Sequence, residues 1–160
     1  MIRFVEETGS TNADLAAALR SDNPPADGDW LVARRQTAGR GRQGREWFDG
    51  KGNFMGSTVV GLRDGDPPPA TLSFVAALAL AQAVGSALEG GPKVDLKWPN
   101  DVQVAGGKLS GILLEMVGTH VIVGIGVNLS VAPDLPDRKT AALSAFASAP
   151  EPDAFAPELE

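Results

Sequence analysis

The 160-residue sequence has no cysteine and no tyrosine, one histidine, and only nine aromatic residues of the Phe and Trp type. Without cysteine, disulfides, thiolate metal sites and a cysteine nucleophile are all excluded. The one histidine, His120, falls in a hairpin turn and reads as a solvated residue. Positive charge is also scarce, with 14 Lys and Arg against 20 Asp and Glu, a net charge of −6 and a pI near 4.8. That balance argues against a general nucleic-acid binder, whose binding face is usually basic throughout. Long apolar runs are missing. The longest, FVAALALAQAV at 74–84, has about half the length a bilayer needs and contains Gln82. Glu6 and Glu7 stand where a signal peptide would carry its apolar region. These absences predict a cytoplasmic chain without a membrane partner. With 43% hydrophobic residues, the length suits one domain with a real core.

What is present reads as alternating short elements. IRFVEE reads as a strand, and TGSTNADLAAALR as a helix capped by Ser10 or Thr11, with Leu15 and Leu19 on one face. WLVARR and NFMGSTVVGL are strands, the second broken by DGDPPP. TLSFVAALALAQAVGSAL is the clearest helix, apolar enough to lie buried between a sheet and something else. VDLKWP, DVQVA, LSGILLEMV and HVIVGIGVNL then read as four strands, with tight turns at AGGK and VGTH. The fold expected is α+β, a mixed and mainly antiparallel sheet with helices packed on one face. One domain is expected over residues 1–148. DRKTAALSAF predicts a short helix, and the Ala, Pro and acid composition of 149–160 predicts a tail or linker.

Positive charge is concentrated in one place. Five of the 14 cations fall between Arg34 and Arg45 with no acid among them, around QTAGRGRQGREW at 36–47. Glycine-rich backbone can wrap an anion with N–H groups, and arginine adds forked donors suited to phosphate or carboxylate. Gly39, Gly41 and Gly44 spell G-x-G-x-x-G, but no helix follows the last glycine, as a dinucleotide fold requires. A phosphate P-loop at GGKL fails as well, with Leu109 where Ser or Thr should bind magnesium. The bland alternative is a solvated basic loop or an RNA-touching segment.

The loop has company: STN at 10–12, KWPND at 97–101, GKLSGILLE at 107–115 and GIGVN at 124–128. Each alone has an ordinary explanation, such as a core tryptophan at Trp98 or a β-turn at Asn100 and Asp101. Together and in this order, over Thr8 to Ser130, the five motifs resemble the biotin protein ligases. The resemblance implies a fold of the biotin/lipoate ligase type, like that of class II synthetases. It implies activation of biotin by ATP to biotinyl-5'-adenylate, then transfer to a lysine of a biotin carboxyl carrier domain. The anion held would be a carboxylate becoming an acyl phosphate.

By this resemblance Ser10, Thr11, Asn12 and Gln36 would meet the polar end of biotin. Gly39, Arg40, Gly41 and Arg42 would close over the ligand, and Gly111 would let the backbone approach it. Arg40, Arg42, Arg45, Trp47, Asn100, Lys108 and Asn128 would serve the nucleotide. Lys108, Arg42 and Asp101 would be catalytic, Lys108 between the biotin carboxylate and the α-phosphate, and Asp101 would bind magnesium. ATP and Mg2+ are then cosubstrate and metal, with no tightly bound organic cofactor. Where the family often has a further arginine this chain has Gln43. Two departures from the family pattern are expected: no N-terminal DNA-binding domain, and so no DNA partner, and no C-terminal β-barrel of the kind family members usually carry; the resemblance leaves room for a homodimer. A non-catalytic biotin or adenylate module and a lipoate ligase are the alternatives.

Overall fold

The computed structural model describes residues 1–159. Seven strands form one sheet: β1 (Ile2–Val5), β2 (Trp30–Ala33), β3 (Phe54–Gly61), β4 (Val94–Lys97), β5 (Asp101–Val104), β6 (Gly107–Val117) and β7 (His120–Val127). Their order is β1-β2-β3-β7-β6-β5-β4. Only β1 and β2 run parallel, and every other neighbouring pair is antiparallel. Two helices matter most, α1 (Thr11–Ala18) and α2 (Leu72–Leu88), and a short α3 (Pro152–Phe155) follows near the end.

Strand alternation decides where the helices go. Along β7, Val121, Val123, Ile125 and Val127 enter the main core with Ala76, Leu80 and Val84 of α2. Ile122 points the other way, to Leu15 of α1, with Leu31 and Val59. Successive side chains of a strand face opposite sides, so α1 and α2 lie on opposite faces of the sheet. The expectation of helices on one face is corrected. Both helices carry apolar residues, and nothing in that composition says which side of the sheet each takes.

Four further expectations change. α2 with the preceding turn makes a 20-residue stretch, Pro69–Leu88, long and apolar enough by length and composition to cross a membrane. The run is thus longer than the half-span read from the sequence. Its Ala76, Ala77, Leu80, Ala83 and Val84 side is packed on the sheet as a core helix would be, while Phe74, Val75 and Leu78 face outward. α2 is therefore covered on one side, not two. The helix expected at 137–146 shrinks to a single 3-10 turn at Leu143–Ala145. The expected tail is not a tail. Phe155 is 1% exposed, and its ring meets Phe54 edge-on with centroids 5.5 Å apart. Glu160, the last residue of that expected tail, lies outside the described residues.

The edge of the site owes its shape to one irregularity. Val102 pairs with Ser110, but Gln103 pairs with Lys108, so β6 carries one extra residue there, a β-bulge. Lys108 and Gly111 are three apart and would face opposite sides of a regular strand. The bulge turns Lys108 onto the face of Gly111, where a Cβ would sit 3.3 Å from Lys108 Nζ. Lys108 therefore belongs to a strand and not to the hairpin turn that its flanking glycines suggest. His120 likewise opens β7, paired with Val117, instead of occupying the turn.

Candidate active site

On the α1 face of the sheet a cleft of about 1270 Å³ opens between α1, the 36–49 segment, and the strand ends of β5, β6 and β7. All fifteen residues singled out from the sequence line it. Six cationic and four anionic side chains are among its lining, a positive balance in a chain of net −6.

One end is polar and buried. Ser10 caps α1, its Oγ accepting from the Ala13 amide at 3.5 Å. The cap sets the first helical turn, and with it Thr11 and Asn12, against the sheet. The Thr11 amide donates to Gln36 Oε1 at 2.7 Å, and the Thr11 hydroxyl lies 3.1 Å from the same oxygen. That hydroxyl is 2.6 Å from Ser57 Oγ, and the Ser57 hydroxyl donates to Asn12 Oδ1 at 2.6 Å. Asn12 Nδ2 in turn donates to Glu115 Oε2 at 2.5 Å. Thr11, Asn12, Gln36 and Ser57 are all at most 9% exposed. Asp49 holds Gln36 in place by accepting from its backbone amide at 3.0 Å.

The floor is made of glycines. Asn12 lies over Gly124, and the Trp47 indole lies over Gly126 and Gly111. Any Cβ at Gly124 or Gly126 would overlap those side chains, so the residue type is required by close approach and not by φ. Trp47 is thus inside the cleft, and its buried Nε1 has no partner among the described residues.

The other end is charged. Lys108 Nζ donates to Asp101 Oδ1 at 2.8 Å, with each side chain a little under one-fifth exposed. Lys108 Nζ also lies 5.9 Å from the Trp47 ring centroid, within cation–π range. The loop over this end is a small hairpin. Gly41 donates to the Arg45 carbonyl at 2.7 Å, and Trp47 to that of Gly39 at 2.9 Å. Gln43 takes a left-handed φ of 60° at its tip, and Gly44 follows at 71°. Arg42 Nη1 donates to Asn100 Oδ1 at 3.0 Å, tying the loop to the strand that carries Asp101. Asn100 is itself fixed, donating from Nδ2 to the Ile112 carbonyl at 3.0 Å.

Asn128 is less free than a ligand contact would be. It is 2% exposed, and its Nδ2 donates to the carbonyls of Ala141 at 3.2 Å and Lys108 at 3.4 Å. It joins the end of β7 to the start of β6 and to the segment crossing it.

Several residues in the cleft or beside it escape the sequence reading. Ser57 sits mid-strand as a hydroxyl among β-formers, and Glu115 closes a motif with no sign of what it faces. Pro133, Leu135, Asp137, Arg138 and Thr140 come from the chain after β7, which returns to pair with β6 at Thr140 and Lys108. Asp137 accepts from Arg138 Nη2 at 2.5 Å, and the Arg138 guanidinium holds that carboxyl below its ordinary range. Asp137 raises Arg138 in return, with Asp101 adding to it. The DRK cluster at 137–139 is the signal the sequence offers for this segment, and its composition suggests the start of a helix instead.

A cleft with a hydrogen-bonding pocket at one end, a glycine floor and clustered cations at the other suits a ligand with a polar head and an anionic tail. The profile of the "Biotin/lipoate A/B protein ligase family" matches residues 4–128. A biotin--[acetyl-CoA-carboxylase] ligase of Paracoccus denitrificans is 48% identical over 136 residues, covering 82% of this chain and 55% of the relative. That of Mycobacterium tuberculosis is 41% identical over 161 residues, covering 97% and 59%. The chain thus spans a little over half the length of these curated relatives. Among solved structures, the biotin protein ligase of Leishmania major in complex with biotinyl-5-AMP superposes with a TM-score of 0.85 at 27% identity, over 99% of this chain and 71% of that one. That of Aquifex aeolicus in complex with biotin and ATP gives 0.84 at 28%, over 99% and 66%. With more than three-quarters of its length matched to the family profile, the chain belongs to the biotin/lipoate A/B protein ligase family.

Proposed function

We propose that the chain is the ligase core of a biotin protein ligase. It would activate biotin with ATP to biotinyl-5'-adenylate and pass biotin to a lysine of a biotin carboxyl carrier domain. The observation that carries this reading is the single cleft joining the Thr11–Gln36–Ser57 pocket to the Arg42, Lys108 and Asp101 cluster across glycines. A urea offers two N–H donors and an oxygen acceptor, which buried hydroxyls and an amide can match. The neighbour bound to biotinyl-5-AMP, and the one bound to biotin and ATP, support the same choice of ligand.

In the first step a biotin carboxylate oxygen attacks the α-phosphorus of ATP, and the bond to the β-phosphate oxygen breaks, releasing pyrophosphate. Lys108, on the charged side of the glycine floor, would stand between the carboxylate and the α-phosphate, where negative charge builds. Arg40, Arg42 and Arg45 would steady the phosphates, and the 39–47 hairpin would keep water from the mixed anhydride. In the second step an uncharged carrier lysine attacks the acyl carbon, AMP leaves, and Asp101 is the nearby carboxylate that would take the amine's proton. Among the described residues no three His, Asp or Glu side chains converge to cage a metal. That fits magnesium, which keeps waters and arrives on phosphates with one or two carboxylates, and Asp101 with Oδ2 unengaged is the one that would hold it.

The test is pyrophosphate release on adding biotin and ATP, with calorimetric titration of biotin alongside. Release that requires biotin supports the proposal. Release with lipoate and none with biotin would reassign the substrate, and biotin binding without release would make the chain a binding module.

A further inference from the structure

We propose that Glu115 is a positioning residue for ligand recognition. It would set the direction of the hydrogen-bond chain Asn12–Ser57–Thr11–Gln36, so that the pocket offers acceptors and calls for an N–H donor. The inference rests on the proposed function, because the donor it calls for is the ureido N–H of biotin.

Hydrogens can be counted along the chain. A carboxylate has only lone pairs to offer, so Asn12 must turn Nδ2 toward Glu115 Oε2, at 2.5 Å. Oδ1 of Asn12 then faces Ser57, and the Ser57 hydroxyl is committed to donating to it at 2.6 Å. The 2.6 Å approach of Thr11 Oγ1 to Ser57 Oγ also needs a hydrogen, and only the Thr11 hydroxyl is left to give one. Thr11 Oγ1 and Gln36 Oε1 are then two oxygens 3.1 Å apart with no hydrogen between them. Gln36 Oε1 keeps its place because the Thr11 amide donates to it at 2.7 Å. The pocket is one hydrogen short, and a ligand N–H placed against these two oxygens supplies it.

Reversing the chain removes the need. Were Asn12 flipped, Nδ2 would donate to Ser57, Ser57 to Thr11, and Thr11 to Gln36 Oε1, satisfying every contact without a ligand. Only an acceptor-only group beyond Asn12 prevents this, and Glu115 is that group. Gly124 holds the amide close, since any side chain there would strike it. Glu115 itself stands on an exposed part of β6, beyond Asn12 as seen from the cleft.

The experiment compares wild type with Glu115→Gln and Glu115→Ala by calorimetric titration of biotin and of desthiobiotin, which keeps the urea. Melting temperature and the KM for ATP in pyrophosphate release are read in parallel. Glu115→Gln keeps a hydrogen bond to Asn12 but can donate it, so it tests direction and not mere contact. The dissociation constants of both ureido ligands should rise roughly tenfold in both variants, about the worth of one net hydrogen bond. Melting temperature and the KM for ATP should stay as in wild type. A biotin Kd in Glu115→Gln within twofold of wild type overturns the inference alone. So does a parallel loss of ATP affinity and melting temperature, which would mark a structural role. A wild-type protein that binds no biotin overturns the proposed function, and this inference with it.

Discussion

At the scale of single residues, Lys108 carries the sharpest demand. It is paired to Asp101 at 2.8 Å on the sheet face of the cleft, and each side chain keeps about a fifth of its exposure. Lys108→Ala would leave Asp101 without its cation. Because both groups still reach water, the stability cost should be about 1 kcal/mol and not that of a fully buried pair. The chemical cost should be far larger, a fall in pyrophosphate release on the order of 10²–10³-fold, as for other preorganised donors at a developing charge. Lys108→Arg should not rescue it, since a planar fork cannot take the place of a compact ammonium between two oxyanions. Turnover near wild type in Lys108→Ala would remove Lys108 from the reaction. Gly124→Ala makes a second residue-scale test. Its methyl would push Asn12 out of the chain to Ser57 and Glu115, so biotin affinity should fall by about tenfold, one net hydrogen bond or more. An unchanged biotin titration would show that Asn12 can move without consequence.

At the scale of elements, the loop and the bulge differ in how far they could be read. Three arginines among three glycines over 39–45 announce an anion-binding loop from composition alone, and the hairpin of 39–47 lies over the charged end of the cleft. Its tip at Arg42, Gln43 and Gly44 is held by few bonds, one of them the Arg42 contact to Asn100. Trypsin should therefore cut after Arg40, Arg42 or Arg45 in the free protein, and biotin with ATP should slow that cutting several-fold by ordering the loop on its anion. Equal cutting with and without ligands would mean the loop does not close. The bulge in β6 was not legible. Strict alternation places Lys108 and Gly111 on opposite faces, and only the pairing of Val102 with Ser110 and Gln103 with Lys108 reveals the extra residue. The motifs named residues that line one cleft, while the convergence of Lys108 and Gly111 on one face came from a register no single strand encodes. The same holds for Ser57 and Glu115. Each is an ordinary strand residue until the sheet brings it to Asn12.

At the scale of the whole molecule, the C-terminal segment shows where composition misleads. Residues 149–159 are rich in Ala, Pro and acid, and that average predicts a solvated tail, yet one aromatic side chain decides the outcome. Phe155 is buried against Phe54, whose strand neighbour across the sheet is Val127, next to Asn128. Pro152 and Ala156 are buried with it, so the segment closes the α2 side of the core. The acids that suggested a tail are used at its rim, where Asp153 accepts from Arg34 at 2.6 Å. Phe155→Ala would leave a cavity the size of a ring in a core that also contains Val127 and Leu129. It should cost about 3–5 kcal/mol, the usual range for a buried phenylalanine, measured as a lower urea midpoint with an unchanged slope. Asp153→Ala removes the half-exposed ion pair to Arg34 together with a buried Oδ1 that has no partner among the described residues, so it should cost no more than about 1 kcal/mol. Comparing the two separates packing from charge, because both act on the same four-residue helix. If Phe155→Ala costs less than Asp153→Ala, the segment is held by its rim more than by its packing. A large loss confined to Phe155→Ala makes these last residues part of the core that supports the cleft.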